Sequence, residues 1–152
     1  AEPHFGGNGA LGNTIGNPLE TTIFLSHLIY EGTLDKFPGL KICGAHAGGY
    51  LPSYMGRTDA TCGRQQPDAC IAKKRPIDDY FKTQIMIDSM IFRAEGLRHL
   101  VAEVGAGQMV YGTDMPFGWP ANPDFILNAT FLNNAQKEQI LGGNLMKLLK
   151  LT

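Results

Sequence analysis

The chain has 152 residues and a mass of 16.5 kDa, the size of one ordinary domain. Hydrophobic residues make up 43% and charged residues 18%, which supplies a core and excludes a chain disordered by composition. A net charge of −1 excludes a polyanion binder that works by bulk charge, and no apolar run approaches the roughly 18 residues of a membrane span, so neither nucleic acid nor membrane is an expected partner.

Residues 1–16 read as an irregular N-terminal segment, and 17–152 as a helix followed by three βα units in one partial domain. Gly7-Asn8-Gly9-Ala10-Leu11-Gly12 matches a dinucleotide-binding fingerprint in letters only. That mechanism needs a strand before the glycines and a helix N-terminus directly after them. Only six residues precede Gly7, and the next predicted helix waits until Asn17. That helix carries Asn17 as N-cap, Pro18 at N1 and Glu20 at N3, with Gly32 as its stop. Leu19, Ile23, Leu25, Leu28 and Ile29 form its apolar stripe, and Phe24 and Tyr30 widen it, so the helix is expected to pack on more than one side.

Pro38-Gly39 breaks the chain, and Leu40 to Ala45 then reads as a short buried strand ending at His46. Ala47-Gly48-Gly49 is a turn, and Pro52 to Cys62 a helix with Gly56 as its weak point. Gly63 to Arg75 reads as a polar loop, with Lys73-Lys74-Arg75 a solvated basic turn. A short helix at Pro76–Phe81 leads to a second strand, Thr83 to Asp88. Arg93 to Val104 is a helix closed by Gly105, and Gln108 to Gly112 a third strand. Asn122-Pro123 caps a further helix, and Asn134–Leu141 and Asn144–Leu151 are terminal helices split by Gly142-Gly143.

Short apolar strands alternating with helices specify an α/β fold with a parallel sheet. The three cysteines cannot all pair within one chain. Cys62 and Cys70 could bridge, but the composition favours reduced thiols with Cys43 in the core, which fits a cytoplasmic protein with no signal-peptide pattern.

All three strands end in polar residues: His46, Asp88-Ser89, and Thr113-Asp114. Parallel α/β sheets bind ligands at the carboxyl ends of their strands, so these residues mark a site at one rim. Imidazole and carboxylate at one rim permit divalent-metal chemistry and general acid–base chemistry. Two ligands fall short of the three that a catalytic metal usually takes from protein. His27 and His99 sit within helices, His99 with Glu103 at i+4, and read as helix-surface groups. His4 stands alone near the first residue.

An ordered series of motifs now carries a resemblance. Gly16-Asn17-Pro18-Leu19-Glu20-Thr21-Thr22, Phe37-Pro38-Gly39-Leu40-Lys41-Ile42, His46-Ala47-Gly48-Gly49-Tyr50-Leu51-Pro52 with Gly56-Arg57, Gly112-Thr113-Asp114-Met115-Pro116-Phe117 and Gly142-Gly143-Asn144 follow one another along nearly the whole chain. The chain resembles the amidohydrolase-related family typified by aminocarboxymuconate-semialdehyde decarboxylase. The resemblance implies the C-terminal portion of a (β/α)8 TIM barrel, about strands six to eight with flanking helices. It implies a metal-dependent decarboxylase or hydrolase acting on a small carboxylic acid, with a divalent metal, zinc in most members. His46 matches the family's catalytic His, Asp114 its metal-binding Asp, and Arg57 an Arg that binds the substrate carboxylate, in some members across a subunit contact.

The departures from the family pattern matter equally. The His-x-His motif of strand one is absent, and the further metal His belongs upstream of Ala1. A whole barrel takes about 250 residues. A half-barrel leaves strand edges open, so Ile42, Ile85 and Val110 are expected to face water in part. The expected partner is a second copy, as a homo-oligomer, or the N-terminal half of the same barrel. The competing reading is a non-catalytic half-barrel that serves as an assembly module.

Overall fold

The computed structural model describes residues 3–62, 70 and 77–151. The expected loop Gly63–Arg75, with its basic turn, therefore lies outside the described residues, except for Cys70.

The described residues form a parallel sheet of three strands in the order β1 (Ile42–Gly44), β2 (Ile85–Asp88) and β3 (Met109–Val110). Ile42 pairs with Ile85, Gly44 with Ile87, and Asp88 with Val110. Strand alternation then sorts the side chains by face. Ile42, Ile85, Ile87 and Met109 share one face, which the helices cover; Ile85, Ile87 and Met109 are fully buried there. Cys43, Met86, Asp88 and Val110 share the other. Cys43 is exposed on that face, so it is not a core residue as the sequence suggested. Of the three strand centres expected to meet water, Ile85 and Val110 are buried and only Ile42 is partly open.

α1 (Asn17–Tyr30) packs Leu25 and Ile29, one turn apart, into the core. Its second apolar side, at Ile23 and Phe24, is exposed, so within the described residues the helix packs on one side only. Gly32, at φ 69°, ends it as expected. Asn17 is not the cap: it has helical angles, and a wide π-type turn at Gly12–Gly16 runs straight into the helix. Pro18 cannot donate the N–H an α-helix would use there, and the wide turn sits where that bond is missing. The helical path thus starts just after the glycine-rich segment, and a short 3-10 helix at Pro3–Phe5, not a strand, precedes the glycines.

α2 (Thr33–Lys36) leads to β1. The buried Gln84 amide donates to the carbonyls of Leu34 and Phe37, each at 3.0 Å, and fixes this approach. α3 (Met55–Ala60) and α4 (Ile77–Thr83) connect β1 to β2, and Asp59 accepts the Ile77 N–H at 2.8 Å. Cys62 and Cys70 form a disulfide with both residues buried, which corrects the expectation of reduced thiols. The helical run from Met55 brings Cys62 to the core, where Cys70 meets it at a Cα separation of 5.0 Å, within normal disulfide reach.

α5 (Ala94–Val104) buries Leu97, Leu100 and Val104 at helical spacing, and Gly105 closes it at φ 83°. β3 is shorter than the predicted Gln108–Gly112 because Tyr111 donates its N–H to the Ile140 carbonyl instead of a strand partner. Asn122 Oδ1 accepts from Asp124 N at 2.9 Å ahead of α6 (Asp124–Leu127), whose N-cap position is Pro123, one residue later than the Asn-Pro pattern indicated. α7 (Asn134–Glu138) opens with a capping box between Asn133 and Gln136. α8 (Asn144–Leu149) follows the Gly142-Gly143 break, and the buried Asn144 amide donates to Ala106 O (2.8 Å) and Met109 O (2.7 Å).

Candidate functional site

Two hollows flank the sheet. One, of about 660 Å³, lies where Lys41, Thr83 and Gln108 lead into the strands, and it holds none of the candidate residues. The other, of about 420 Å³, lies at the carboxyl ends of the strands and is lined by both His46 and Asp114. Its size suits a small ligand. The strand polarity rule therefore selects the second.

His46 follows β1 in a left-handed conformation, φ 54°, and Ala47 (57°), Gly48 (76°) and Gly49 (65°) continue with positive φ. For His and Ala this region costs roughly 1–2 kcal/mol each, and such strain persists only where surroundings over-determine it. They do so here. The Asp88 carboxylate, reaching over from the neighbouring strand, accepts from His46 N (3.1 Å), Ala47 N (2.7 Å) and Met90 N (3.0 Å). On the other side, Thr22 Oγ1 accepts from Tyr50 N at 2.8 Å, and Thr21 Oγ1 lies 2.9 Å from His46 Nδ1. The bond to Nδ1 fixes the imidazole plane and leaves Nε2 as the ring's other polar atom.

The turn also needs its glycines. A Cβ at Gly48 would lie 2.7 Å from Ile87 Cγ2, and one at Gly49 would overlap the Pro18 carbonyl. Close packing of the turn on β2 and α1 accounts for His-Ala-Gly-Gly as a unit.

Asp114 ends the segment after β3, also in the left-handed region at φ 51°. Two of the three candidate side chains thus stand on strained backbone at the ends of β1 and β3, the strands on either side of β2, a placement common at functional sites. Asp88 belongs to the same rim. Burial pushes its carboxyl above the usual range, against the three backbone N–H groups and the nearby His46, which pull it down. Cys43 is exposed as a residue, yet partial desolvation of its thiol raises its pKa, and the Asp88 charge adds to that.

Arg57 is placed differently. It is exposed on α3 and does not line the cleft. His27 pairs with Glu31 at 2.6 Å on an exposed helix face, as expected of a surface group. His99 faces Glu103 at 3.9 Å, and its Nε2 meets Ser53 Oγ at 2.9 Å; Ser53 and His99 also line the cleft. Sequence reasoning missed this polar pair, Thr21 as the partner of His46, and Trp119 at the cleft mouth. Thr21 had a signal, since it stands in the first quoted motif.

Among the described residues no three His, Cys, Asp or Glu side chains come together as a metal site. The residues present do not by themselves fit a catalytic metal; Asp114 offers one carboxylate. No helix among the described residues is long and apolar enough to cross a membrane.

The sequence profile of the amidohydrolase family matches residues 3–151. The 2-amino-3-carboxymuconate-6-semialdehyde decarboxylase of Dictyostelium discoideum is 32% identical over 140 residues, which are 90% of this chain and 38% of that protein. The crystal structure of 2,6-dihydroxybenzoate decarboxylase from Rhizobium superposes with a TM-score of 0.83 at 30% identity, covering 99% of this chain and 47% of the other. The dihydroxybenzoic acid decarboxylase of Polaromonas sp. JS666, solved with manganese and the inhibitor 2-nitroresorcinol, gives a TM-score of 0.76 at 32% identity over 88% of this chain and 41% of that one. The chain spans less than half the length of each relative. These relatives are (β/α)8 barrels, and the parallel sheet with its helices bears out a C-terminal portion of that barrel. The family tie covers nearly every residue, from Pro3 to Leu151, and the chain belongs to the amidohydrolase family.

Proposed function

We propose that this chain is the C-terminal part of a metal-dependent decarboxylase of small aromatic carboxylic acids. One observation carries the reading: His46 and Asp114, from the ends of two different strands, line one cleft. The names of the relatives support the reaction type.

His46 is the acid/base. When the bond from the ring carbon to the carboxylate breaks, CO2 leaves and its electron pair stays on the ring carbon. A proton from His46 then replaces the lost group. Thr21 holds the imidazole in plane, and Asp88 holds the backbone that carries it. In the intact enzyme Asp114 would hold a divalent metal as one of its ligands, and that metal would polarise substrate oxygens. The Polaromonas relative holds manganese, so the metal proposed is a divalent ion, zinc or manganese. Arg57, exposed and away from this cleft, suits a carboxylate contact in a second copy's cleft.

The second reading, a non-catalytic assembly module, draws on the lack of a three-ligand cluster among the described residues. The test is CO2 release from hydroxylated benzoates with manganese or zinc. It is run on the chain alone and on the chain joined to a histidine-bearing barrel remainder. The joined protein should release CO2 and lose that activity with His46→Ala. Release that survives His46→Ala would overturn the assignment, and no release at all would favour the assembly module.

A further inference from the structure

The segments after β2 and β3 each send an aromatic ring to the same rim. Phe92 and Trp119 stack there, with ring centroids 5.7 Å apart and planes within 16°. Trp119 lines the cleft with His46 and Asp114, whereas Phe92 does not. The indole is thus part of the cleft lining, and a near-parallel ring stacks on it. Trp119 is 39% exposed and Phe92 43%, values a packing role alone does not require of such large rings. Ile91 and Leu100 line the cleft as well, so its apolar surface extends beyond the indole.

A flat π-surface held in plane beside a titratable imidazole suits a ligand that is flat at one end and anionic at the other. Offset stacking favours a ring with its own π-system over a saturated ring of equal size by about threefold to tenfold.

We propose that Trp119 is the residue that selects planar aromatic carboxylates over saturated ones in this cleft, and that Phe92 is the positioning residue that holds the indole in plane. The proposal rests on the reading of this cleft as a carboxylic-acid site.

Trp119 is the sole tryptophan of the chain, so indole emission reports on this position alone. The purified chain is titrated with benzoate and with cyclohexanecarboxylate, which carry the same charge on rings of six carbons. Binding heats are measured alongside emission. Benzoate should shift the emission and bind about threefold to tenfold more tightly. Phe92→Leu, an exchange at an exposed position, should bring the ratio close to one by weakening benzoate binding. Phe92→Tyr should restore the preference. Equal binding of both acids, unmoved by Phe92→Leu, would overturn the aromatic selection and leave the carboxylate site standing. Failure of both acids to give heat or an emission change would overturn the carboxylate site, and the selection with it.

Discussion

The Asp88 carboxylate binds the backbone of the residue after His46: Asp88 Oδ1 and Ala47 N are 2.7 Å apart, with Asp88 at the end of β2 and Ala47 just past β1. Two adjacent strand ends are locked by one side chain. Asp88→Ala should therefore cost about 2–4 kcal/mol, since three N–H groups lose their acceptor. Denaturant unfolding measures it, and a loss under 1 kcal/mol would show that water replaces the carboxylate freely.

The same group makes a pH prediction. Burial raises the folded-state pKa of Asp88 above its unfolded value of about 3.9. A raised pKa contributes stability that is complete below the unfolded value and is lost as pH rises through the folded one. The stability of the wild type relative to Asp88→Asn should fall as pH rises from about 3.9 through the raised pKa. A difference that grows with pH would mean that the N–H bonds outweigh burial.

Thr21→Val keeps the shape of the side chain and removes the hydroxyl that meets His46 Nδ1. Stability should fall by about 1 kcal/mol. The imidazole nitrogen resonances of His46 should change while those of His27 stay fixed. An unchanged His46 spectrum would remove Thr21 from the site.

Gly49→Ala forces a side chain onto the Pro18 carbonyl at φ 65° and should destabilise by about 2–4 kcal/mol. Gly56 is the control. It lies in α3 with nothing within 4 Å of an added Cβ, so Gly56→Ala should be neutral or stabilising by up to about 1 kcal/mol. Thermal unfolding of both variants checks the contrast.

Asp114 is one carboxylate, and no three-ligand group exists among the described residues. After dialysis the chain alone should hold well under one manganese or zinc ion. A full equivalent that Asp114→Ala removes would show that the chain completes the site by itself.

The strands were legible because each is a short apolar run followed by a polar residue and a turn. His46, Asp88 and Asp114 at one rim followed directly from that pattern. Other features were not legible, since neither hydrophobic period nor turn residues report them. The wide turn before Asn17 follows from a missing N–H bond rather than from a cap. The Cys62–Cys70 pairing needed the helix from Met55 to bring Cys62 into the core. The stack of Phe92 on Trp119 joins two loops that no local period links. Arg57 was legible as a motif, but its distance from this cleft was not.

Asn144 carries one more consequence, for the order in which the molecule can assemble. The carbonyls of Ala106 and Met109 take their donors from its amide, and Tyr111 N finds its acceptor at Ile140. Buried backbone groups left without partners are costly. During synthesis β3 leaves the ribosome some thirty residues ahead of the groups that satisfy it, and β1 and β2 earlier still. Strands β1 and β2 can therefore pair while the chain is still growing, whereas the β3 edge waits for Ile140 and Asn144. Stalling before that point would leave β3 as the exposed and association-prone edge of the nascent chain.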